Sequence, residues 1–538
     1  MSSIVGFLRR NTNDTSNSPY HTMEASKLLE EHQAGVKRIQ SQVEKFYQEK
    51  KHFRVYHGST SSTRPMQFTK DAIVNTSDMY RLFPVNKEKM TVKAEPNVPM
   101  DALAAHCIAA GYVPKVVMEF KGITCGGGFA GMSGESSMYR YGLFQNTVCE
   151  IEIVLGDGTV EIANREKNAD LLQEAGGSLG TFGIITLVEI ELLPAKSHVQ
   201  VQILPVREPL TVPSIFEEAT TDESIDYLDG IYFNRSTAVV MFGKMIDYAQ
   251  RDTHAPLLTT KQVHWFADTI EAHLKKHHNQ ISTLTNAETK GNAPAAKPVG
   301  STRPTDIPPV LLTLTDYLFR YDHGAFWGGK LAFKHFHVPQ NRITRAIADP
   351  FLDSRTCYQA LHKSGLADEY VVQDFGIPAS TVTQFIEYVS ENMPECQIFL
   401  CPLKPAQEIH IDKRFNNAVA AVRDQRIFGV GVYGRGPRDH AKFIELNRKL
   451  ELRSSELLGS KLLYARTYYT EQEFWTIYRK DYYDEMRTKY RADTLPSVYD
   501  KLHADMNYRR PKRSVRGILE TMWDVKVAKK GEYLLKGK

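Results

Sequence analysis

This sequence of 538 residues lacks several features that would assign it to a protein class at once. Its six cysteines form no CxxC pair, so they predict neither a disulfide framework nor a zinc motif. The longest apolar stretch, 183–194, contains two glutamates and is far shorter than the ~20 residues of a spanning helix. Residues 1–33 are polar and lack the apolar block of a signal peptide. We therefore expect a soluble, cytoplasmic protein with no transmembrane segment, signal peptide or metal site.

The sequence also has little excess charge of either sign. The balance of 67 Lys+Arg against 63 Asp+Glu leaves +4, which gives no reason to expect a nucleic-acid partner. An apolar fraction of 42% is ordinary for a folded chain, and the length predicts two or three lobes. One segment departs from this balance, because residues 501–538 contain eleven Lys/Arg against four Asp/Glu. This basic tail is either solvated or a peripheral contact with an acidic membrane surface.

The hydrophobic pattern changes along the chain and predicts an α+β fold. Apolar residues with helical spacing cover 25–51, and short alternating strands such as 149–155 and 183–193 follow. Residues 283–309 are rich in Thr, Ala, Asn, Gly and Pro, which predicts a flexible insertion. The predicted segments are a helical arm (1–45), a first lobe (46–197), a second lobe (198–455), a helical segment (456–505) and the basic tail (506–538).

The most informative segment is the glycine-rich stretch 122–142, GITCGGGFAGMSGESSMYRYG. Seven glycines in 21 residues would weaken a packed element, because glycine loses the most backbone entropy on folding. They suit a loop whose backbone amides approach an anion closely while Ser and Thr hydroxyls add donors. No Walker lysine and no strand–GxGxxG–helix unit is present. We predict a pyrophosphate bound outside a Rossmann fold; the alternative is a glycine loop without a ligand.

Two further segments favour the ligand. Residues 57–63, HGSTSST, follow a predicted strand, and residues 176–185, GGSLGTFGII, form a third glycine loop that leads into a strand. Three such loops in one lobe suit a long, doubly phosphorylated ligand. The candidate cofactor-binding residues are His57, Gly58, Ser59, Thr60, Ser61, Ser62, Thr124, Gly126, Gly127, Gly128, Gly131, Gly134, Ser136, Ser137, Gly142, Gly180, Gly183, Ile184 and Ile185.

The order of the three loops resembles the FAD-binding lobe of the PCMH-type (vanillyl-alcohol-oxidase-like) flavoproteins. Within that group, segments 124–142, 156–158 and 179–183 resemble the delta(24)-sterol reductase (Diminuto-like) family. The later segments that resemble this family are 370–378, 400–403, 433–434, 463–465, 473–475 and 496–501. Each motif is weak alone, but their shared order over about residues 90 to 505 is specific.

The resemblance implies a two-subdomain FAD-binding lobe, 46–197, completed by 456–505, and a substrate or cap domain, 198–455. It implies that FAD, recharged by NADPH, reduces a carbon–carbon double bond in a hydrophobic, sterol-like or terpenoid-like substrate. In some flavoproteins of this fold, a histidine of the first loop or a cysteine near the second bonds covalently to the flavin. We expect noncovalent FAD here, because His57 lies one position before that histidine and Cys125 lies inside the pyrophosphate loop. An oxidase or dehydrogenase that passes electrons to O2 uses the same lobe and remains the alternative.

The resemblance also suggests catalytic and substrate-binding residues. Asp374 lies on a predicted strand that in the wider fold lines the substrate cavity, which makes it a candidate acid or orienting group. Tyr433, at a strand end, is a second candidate proton donor. Arg320, Phe326 and Trp327 resemble a cap-domain aromatic patch that would bind an apolar substrate. The alternatives are a surface or capping carboxylate for Asp374, and ordinary packing for the others. Animal and plant members of the family carry an N-terminal membrane anchor, which we do not find in this sequence.

Overall fold

The computed structural model describes residues 25–58, 64, 68–206, 208–276, 308–416, 421–503, 514–526 and 535–536. Loop residues Ser59, Thr60, Ser61 and Ser62, nearly all of the insertion 283–309 and the basic run 509–513 lie outside this set. The described chain combines helices with mostly antiparallel sheets, so the predicted α+β class is confirmed. Among the described residues, no helix combines the length and the apolar sequence that crossing a membrane requires.

A five-stranded antiparallel sheet organises the first part of the chain. Its long strand Gly183–Pro194 pairs with three others, which places the third glycine loop at one end of the sheet. The helix Met100–Ala109 begins after Pro99 and ends just before Gly111, whose positive φ of 89° stops it. The strands are Thr91–Ala94, Tyr112–Pro114, Val148–Leu155, Val160–Asn164 and Gly183–Pro194.

An eight-stranded antiparallel sheet forms the second part. Alternate residues of its central strands face two apolar clusters, one on each side of the sheet. In spatial order the strands are Val310–Thr313, His198–Val206, Thr237–Ile246, Tyr227–Asn234, Cys396–Leu403, Ile427–Arg435, Tyr370–Pro378 and Ser460–Lys461. The helices around both sheets are Cys125–Ala130, Met138–Tyr141, Ala169–Ala175, Val212–Ala219, Thr260–His264, Phe266–Lys276, Leu314–Leu318, Gly328–His335, Arg342–Ala348, Ser354–Ser364, Val382–Asn392, His440–Glu456, Glu471–Ile477, Lys480–Lys489 and Val498–Leu502.

The N-terminal helix Ala25–Gln48 packs into the core of the first part. Its side chains Ile39 and Val43 are fully buried in a cluster with Val154 and Ile184 of the five-stranded sheet. The parallel strand pair Arg54–Tyr56 and Ile73–Asn75 lies beside this helix, since Phe53, Val55 and Val74 belong to the same cluster. Residues 25–45 of the predicted arm therefore form a helical layer packed against the five-stranded sheet.

The helix Ser514–Lys526 lies within the segment predicted as a basic tail, either solvated or in contact with a membrane. It packs against Ser354–Ser364 so closely that a Cβ on Gly517 would lie 2.5 Å from the backbone of Lys363. Asp524 accepts hydrogen bonds from Gln359, at 3.1 Å, and from Lys363. Part of the basic tail is thus a docked helix, because its face with Gly517 and Thr521 is buried against the second part of the chain.

Candidate active site

A deep cavity lies between the glycine loops of the first part and the strands of the eight-stranded sheet. The sequence-predicted residues in its wall come from all three loops, from the strands of Asp374 and Tyr433, and from the turn that contains Phe326. They are His57, Thr124, Gly126, Gly127, Gly131, Gly134, Gly180, Gly183, Ile184, Ile185, Phe326, Asp374 and Tyr433. The tertiary structure therefore gathers residues separated by more than 370 positions into one site.

Glycine is required at specific turns of this wall. Thr124 caps the short helix Cys125–Ala130, and its Oγ1 accepts a hydrogen bond from the Gly127 amide at 3.2 Å. A Cβ on Gly131 would lie 2.8 Å from the carbonyl oxygen of Gly127. Gly180 has a φ of 69°, a conformation that other residues rarely adopt. The loops thus keep their backbone exposed to the cavity.

Five described candidate cofactor residues lie outside this wall: Gly58, Gly128, Ser136, Ser137 and Gly142. Both Ser136 and Ser137 donate hydrogen bonds to the buried carboxylate of Glu135, so their hydroxyls are already satisfied within the protein. A Cβ on Gly128 would lie 2.2 Å from the methyl group of Met118, which makes this glycine a packing requirement. Gly58 and Gly142 have positive φ, which explains glycine there by backbone geometry.

One end of the cavity is strongly basic. Arg54, His57, Arg64 and Lys501 all contribute to its wall. Lys501 donates to the carbonyl of Leu179 at 2.5 Å, and no carboxylate of the described residues forms an ion pair with it or with Arg54. Burial and repulsion from the neighbouring arginines hold the pKa of Lys501 well below its usual value. A bound anion would relieve that repulsion.

His57 adds an unsatisfied group at the same end. Burial and the nearby cations lower the pKa of its imidazole to about 4, so the ring is neutral at physiological pH. Among the described residues its buried Nδ1 has no hydrogen-bond partner. A cavity with glycine-rich walls, two or more cations and an orphaned polar atom fits the diphosphate of a dinucleotide such as FAD.

The opposite end of the cavity has an acidic group held by two tyrosines. The hydroxyl of Tyr433 lies 2.9 Å from each carboxylate oxygen of Asp374, and the hydroxyl of Tyr464 also donates to this carboxylate. Burial raises the pKa of Asp374 to about 6, although the two hydrogen bonds oppose the shift. Burial and the adjacent carboxylate hold the pKa of Tyr433 well above 10. At neutral pH, Asp374 is therefore ionised and both tyrosines keep their protons.

A second cavity, lined mainly by apolar side chains, adjoins the first. The two share Phe120, Phe326, Tyr358 and Tyr433, so these four rings form part of both walls. Phe326 stacks on Tyr433 with ring centroids 5.4 Å apart. The remaining wall includes Trp327 and, from the C-terminal helix, Ile518 and Met522. Phe326 and Trp327 therefore lie where an apolar ligand would contact them.

Arg320 lies at neither cavity, contrary to the sequence prediction. Its guanidinium pairs with Asp229 at 3.0 Å and lies over the ring of Tyr317, 3.9 Å from the centroid. Both ionic partners are almost fully buried, so the arginine satisfies an internal carboxylate and is not available to a substrate. The sequence missed several wall residues: Arg54, Arg64, Glu119, Tyr358, Tyr464 and Lys501. The sequence could have indicated two of these residues. Tyr464 and Lys501 fall within the segments 463–465 and 496–501, which resemble the reductase family.

Comparison with known proteins defines the class. A model of the FAD-binding domain family matches residues 35–164, which contain the first two glycine-rich loops and most of the five-stranded sheet. The chain is an FAD-dependent oxidoreductase.

Relatives that align with most of the chain give a more specific resemblance. The chain is 25% identical to the delta(24)-sterol reductase of Homo sapiens over 80% of its own length and 77% of that protein. It is 26% identical to the delta(24)-sterol reductase of Arabidopsis thaliana, over 80% and 76% respectively. A shorter match, 33% identical over 24% of this chain and 25% of the relative, is to cytokinin dehydrogenase 9 of Oryza sativa subsp. japonica. The resemblance to delta(24)-sterol reductases predicted from the sequence is confirmed.

Proposed function

We propose that this protein reduces a carbon–carbon double bond of a hydrophobic, sterol-like or terpenoid-like substrate, with NADPH as the electron donor for its FAD. One observation carries the proposal: the apolar second cavity meets the first at Phe326 and Tyr433. An elongated apolar molecule in the second cavity would place one end beside Asp374 and the cofactor. The whole-chain similarity to proteins named delta(24)-sterol reductase supports this substrate class.

The cofactor would be held without a covalent bond. When bound, FAD takes a hydride from NADPH and supplies it to the substrate. Backbone amides around Gly127 and Gly180, with Lys501 and Arg54, would hold its diphosphate. Burial raises the pKa of Cys125 far above 9, so this residue remains a thiol and is a poor nucleophile for attachment.

The walls provide the environment that reduction of an isolated alkene needs. Such an alkene is electron-rich, so protonation must precede or accompany hydride transfer and generates positive charge on the more substituted carbon. The ionised Asp374, fixed by Tyr433 and Tyr464, would stabilise that charge. The aromatic rings that line both cavities would exclude water from the same carbon.

These positions indicate which segments of the chain bind the cofactor and which bind the substrate. We infer that 46–197, as two small subdomains, and 456–505 form the cofactor lobe, and that 198–455 forms the substrate domain. One contact and one position support the inference. Lys501 of the later segment donates to Leu179 of the earlier one, and Asp374 comes from the eight-stranded sheet.

A peripheral membrane contact through the basic tail is proposed as well, in a cytoplasmic protein. On the helix Ser514–Lys526, the side chains Val515, Leu519 and Trp523 recur every four residues and are at least 60% exposed, while Ile518 faces the second cavity. Each basic residue near an anionic surface would add about 1 kcal/mol. Replacing Leu519 and Trp523 with Gln should reduce co-sedimentation with phosphatidylserine vesicles, whereas Leu257→Gln, at an exposed site elsewhere, should not. Equal sedimentation of both variants would contradict the contact.

Two half-reactions test the function. NADPH should bleach the purified yellow protein under anaerobic conditions, and a sterol with a side-chain double bond should then restore the colour and gain two hydrogens by mass. An alcohol or amine that bleaches the protein, with recovery only on adding O2, would favour the oxidase alternative.

A further inference from the structure

Glu119 is an acidic residue in the wall of the first cavity that the sequence did not single out. It lines the first cavity and directly precedes Phe120, whose ring lines both cavities. The same wall contains Asp374, Tyr433 and Tyr358. Glu119 is therefore positioned on the cofactor side of the aromatic residues that would surround the reacting double bond.

The hydrogen bonding of Glu119 differs from that of the other acids near this site. Within the described part of the chain, no side chain donates a hydrogen bond to its carboxyl and no cation pairs with it. By contrast, Asp374 accepts from two tyrosines, Glu135 accepts from two serines, and Asp229 pairs with Arg320. A half-buried carboxyl that lines a cavity and has neither a side-chain donor nor a cation is costly when ionised, so a role inside the cavity is the natural explanation.

The environment of Glu119 favours its protonated form. Burial is the main cause that raises its pKa to about 8, and the nearby charges of Glu135 and Asp374 raise it further. A hydrogen bond from its own backbone amide and the charge of Arg320 oppose this rise in the pKa only in part. At neutral pH the cavity thus contains one protonated and one ionised carboxyl.

We propose that Glu119 donates the proton to the substrate double bond, while Asp374 with its two tyrosines stabilises the resulting positive charge. This role rests on the proposed reductase function. Tyr433 is poorly suited as the donor, because its O–H is directed at Asp374 and not at the cavity.

The step balances as follows. The π electrons form a C–H bond to the less substituted carbon as the O–H bond of Glu119 breaks. The more substituted carbon then accepts the hydride supplied by reduced FAD, which is oxidised. The Glu119 carboxylate afterwards regains a proton from solvent, so one alkene and one NADPH are consumed in each cycle.

The test uses the Glu119→Gln variant, which keeps the size and neutral charge of the protonated acid. Flavin content and anaerobic bleaching by NADPH should match the wild type, whereas recolouring by the alkene should slow by roughly 10²–10⁴-fold. In the wild type the rate of recolouring should fall above about pH 8, because Glu119 loses its proton. The matched Asp374→Asn variant should keep this alkaline decrease, and Glu119→Gln should lack it.

The possible outcomes distinguish a failure of the proposed role of Glu119 from a failure of the proposed reductase function. Recolouring of Glu119→Gln at the wild-type rate, or with the wild-type alkaline decrease, would overturn the assignment. If the wild type bleaches with NADPH but no alkene restores its colour, the reductase function fails and this role fails with it. A variant that loses flavin would show that Glu119 is structural, which also overturns the proposal.

Discussion

The hydroxyl of Tyr433 is equidistant from the two carboxylate oxygens of Asp374, at 2.9 Å from each. This geometry fixes the carboxylate from one side while Tyr464 approaches from another. Because both tyrosines are donors, the arrangement stabilises the ionised form of an acid that burial would otherwise keep neutral. Asp374 is therefore ionised at neutral pH although its side chain is buried.

Loss of that charge should slow the chemical step. We expect Asp374→Asn to lower alkene-dependent recolouring of the reduced flavin by roughly 10²–10³-fold, with FAD content unchanged. In the wild type the rate should decrease below about pH 6, where Asp374 becomes protonated, and the variant should lack this acid limb. Stopped-flow measurements from pH 5 to 9 would check both points. If Asp374→Asn and Tyr433→Phe both keep full turnover, the assignment of this cluster is wrong.

A bulky side chain in the first glycine loop should prevent cofactor binding. A Cβ on Gly127 would meet only Thr124 Oγ1, at 3.0 Å, so a valine there would project toward the cavity with little damage to the fold. We expect Gly127→Val to purify colourless but folded, as judged by circular dichroism. The control Gly328→Val, where the nearest neighbour would be 3.8 Å away, should remain yellow. A fully yellow Gly127→Val protein would show that this loop does not contact the diphosphate.

The buried lysine should contribute to FAD affinity through its charge. Hydrogen bonds to charged groups contribute about 1.5–3 kcal/mol, so Lys501→Met should weaken FAD binding by roughly 10–100-fold. Titration of the apoprotein with FAD, followed by flavin fluorescence, would measure the change. Lys449→Met, on the exposed face of the helix His440–Glu456, is the matched control. Equal affinities of the two variants would place the diphosphate elsewhere.

A histidine links stability to pH. His32 of the N-terminal helix lies 3.0 Å from both Glu95 and Glu152, and its pKa is raised to about 9, because these hydrogen bonds outweigh the burial that lowers it. The charged ring thus favours the folded state below pH 6.5, and this contribution is lost as the pH rises to 9. The free energy of unfolding should fall by at most about 3 kcal/mol over that interval. Urea denaturation of His32→Gln should show a flatter dependence; an unchanged slope would exclude His32.

Local sequence determined much of the molecule. Glycine spacing in 122–142 and 176–185 predicted loops with open backbone, because side chains would block close approach to a ligand. Alternating apolar residues predicted the strands of the five-stranded sheet, since strand residues face opposite sides in turn. The ordered motifs added the resemblance that identifies the cofactor and the relatives. These features depend on neighbours in the chain, so the sequence alone specifies them.

Only the tertiary structure decided which polar groups are free to act. In sequence, Ser136 and Arg320 look as suitable for binding as Lys501, but their groups are satisfied by Glu135 and Asp229. In the same way, no local pattern distinguishes Glu119, whose environment depends on a strand about 250 residues away. Burial and pairing come from contacts distant in the chain, and they set the pKa and the availability of each group. The sequence therefore determined the class of protein, and the packing of the two sheets determined the site.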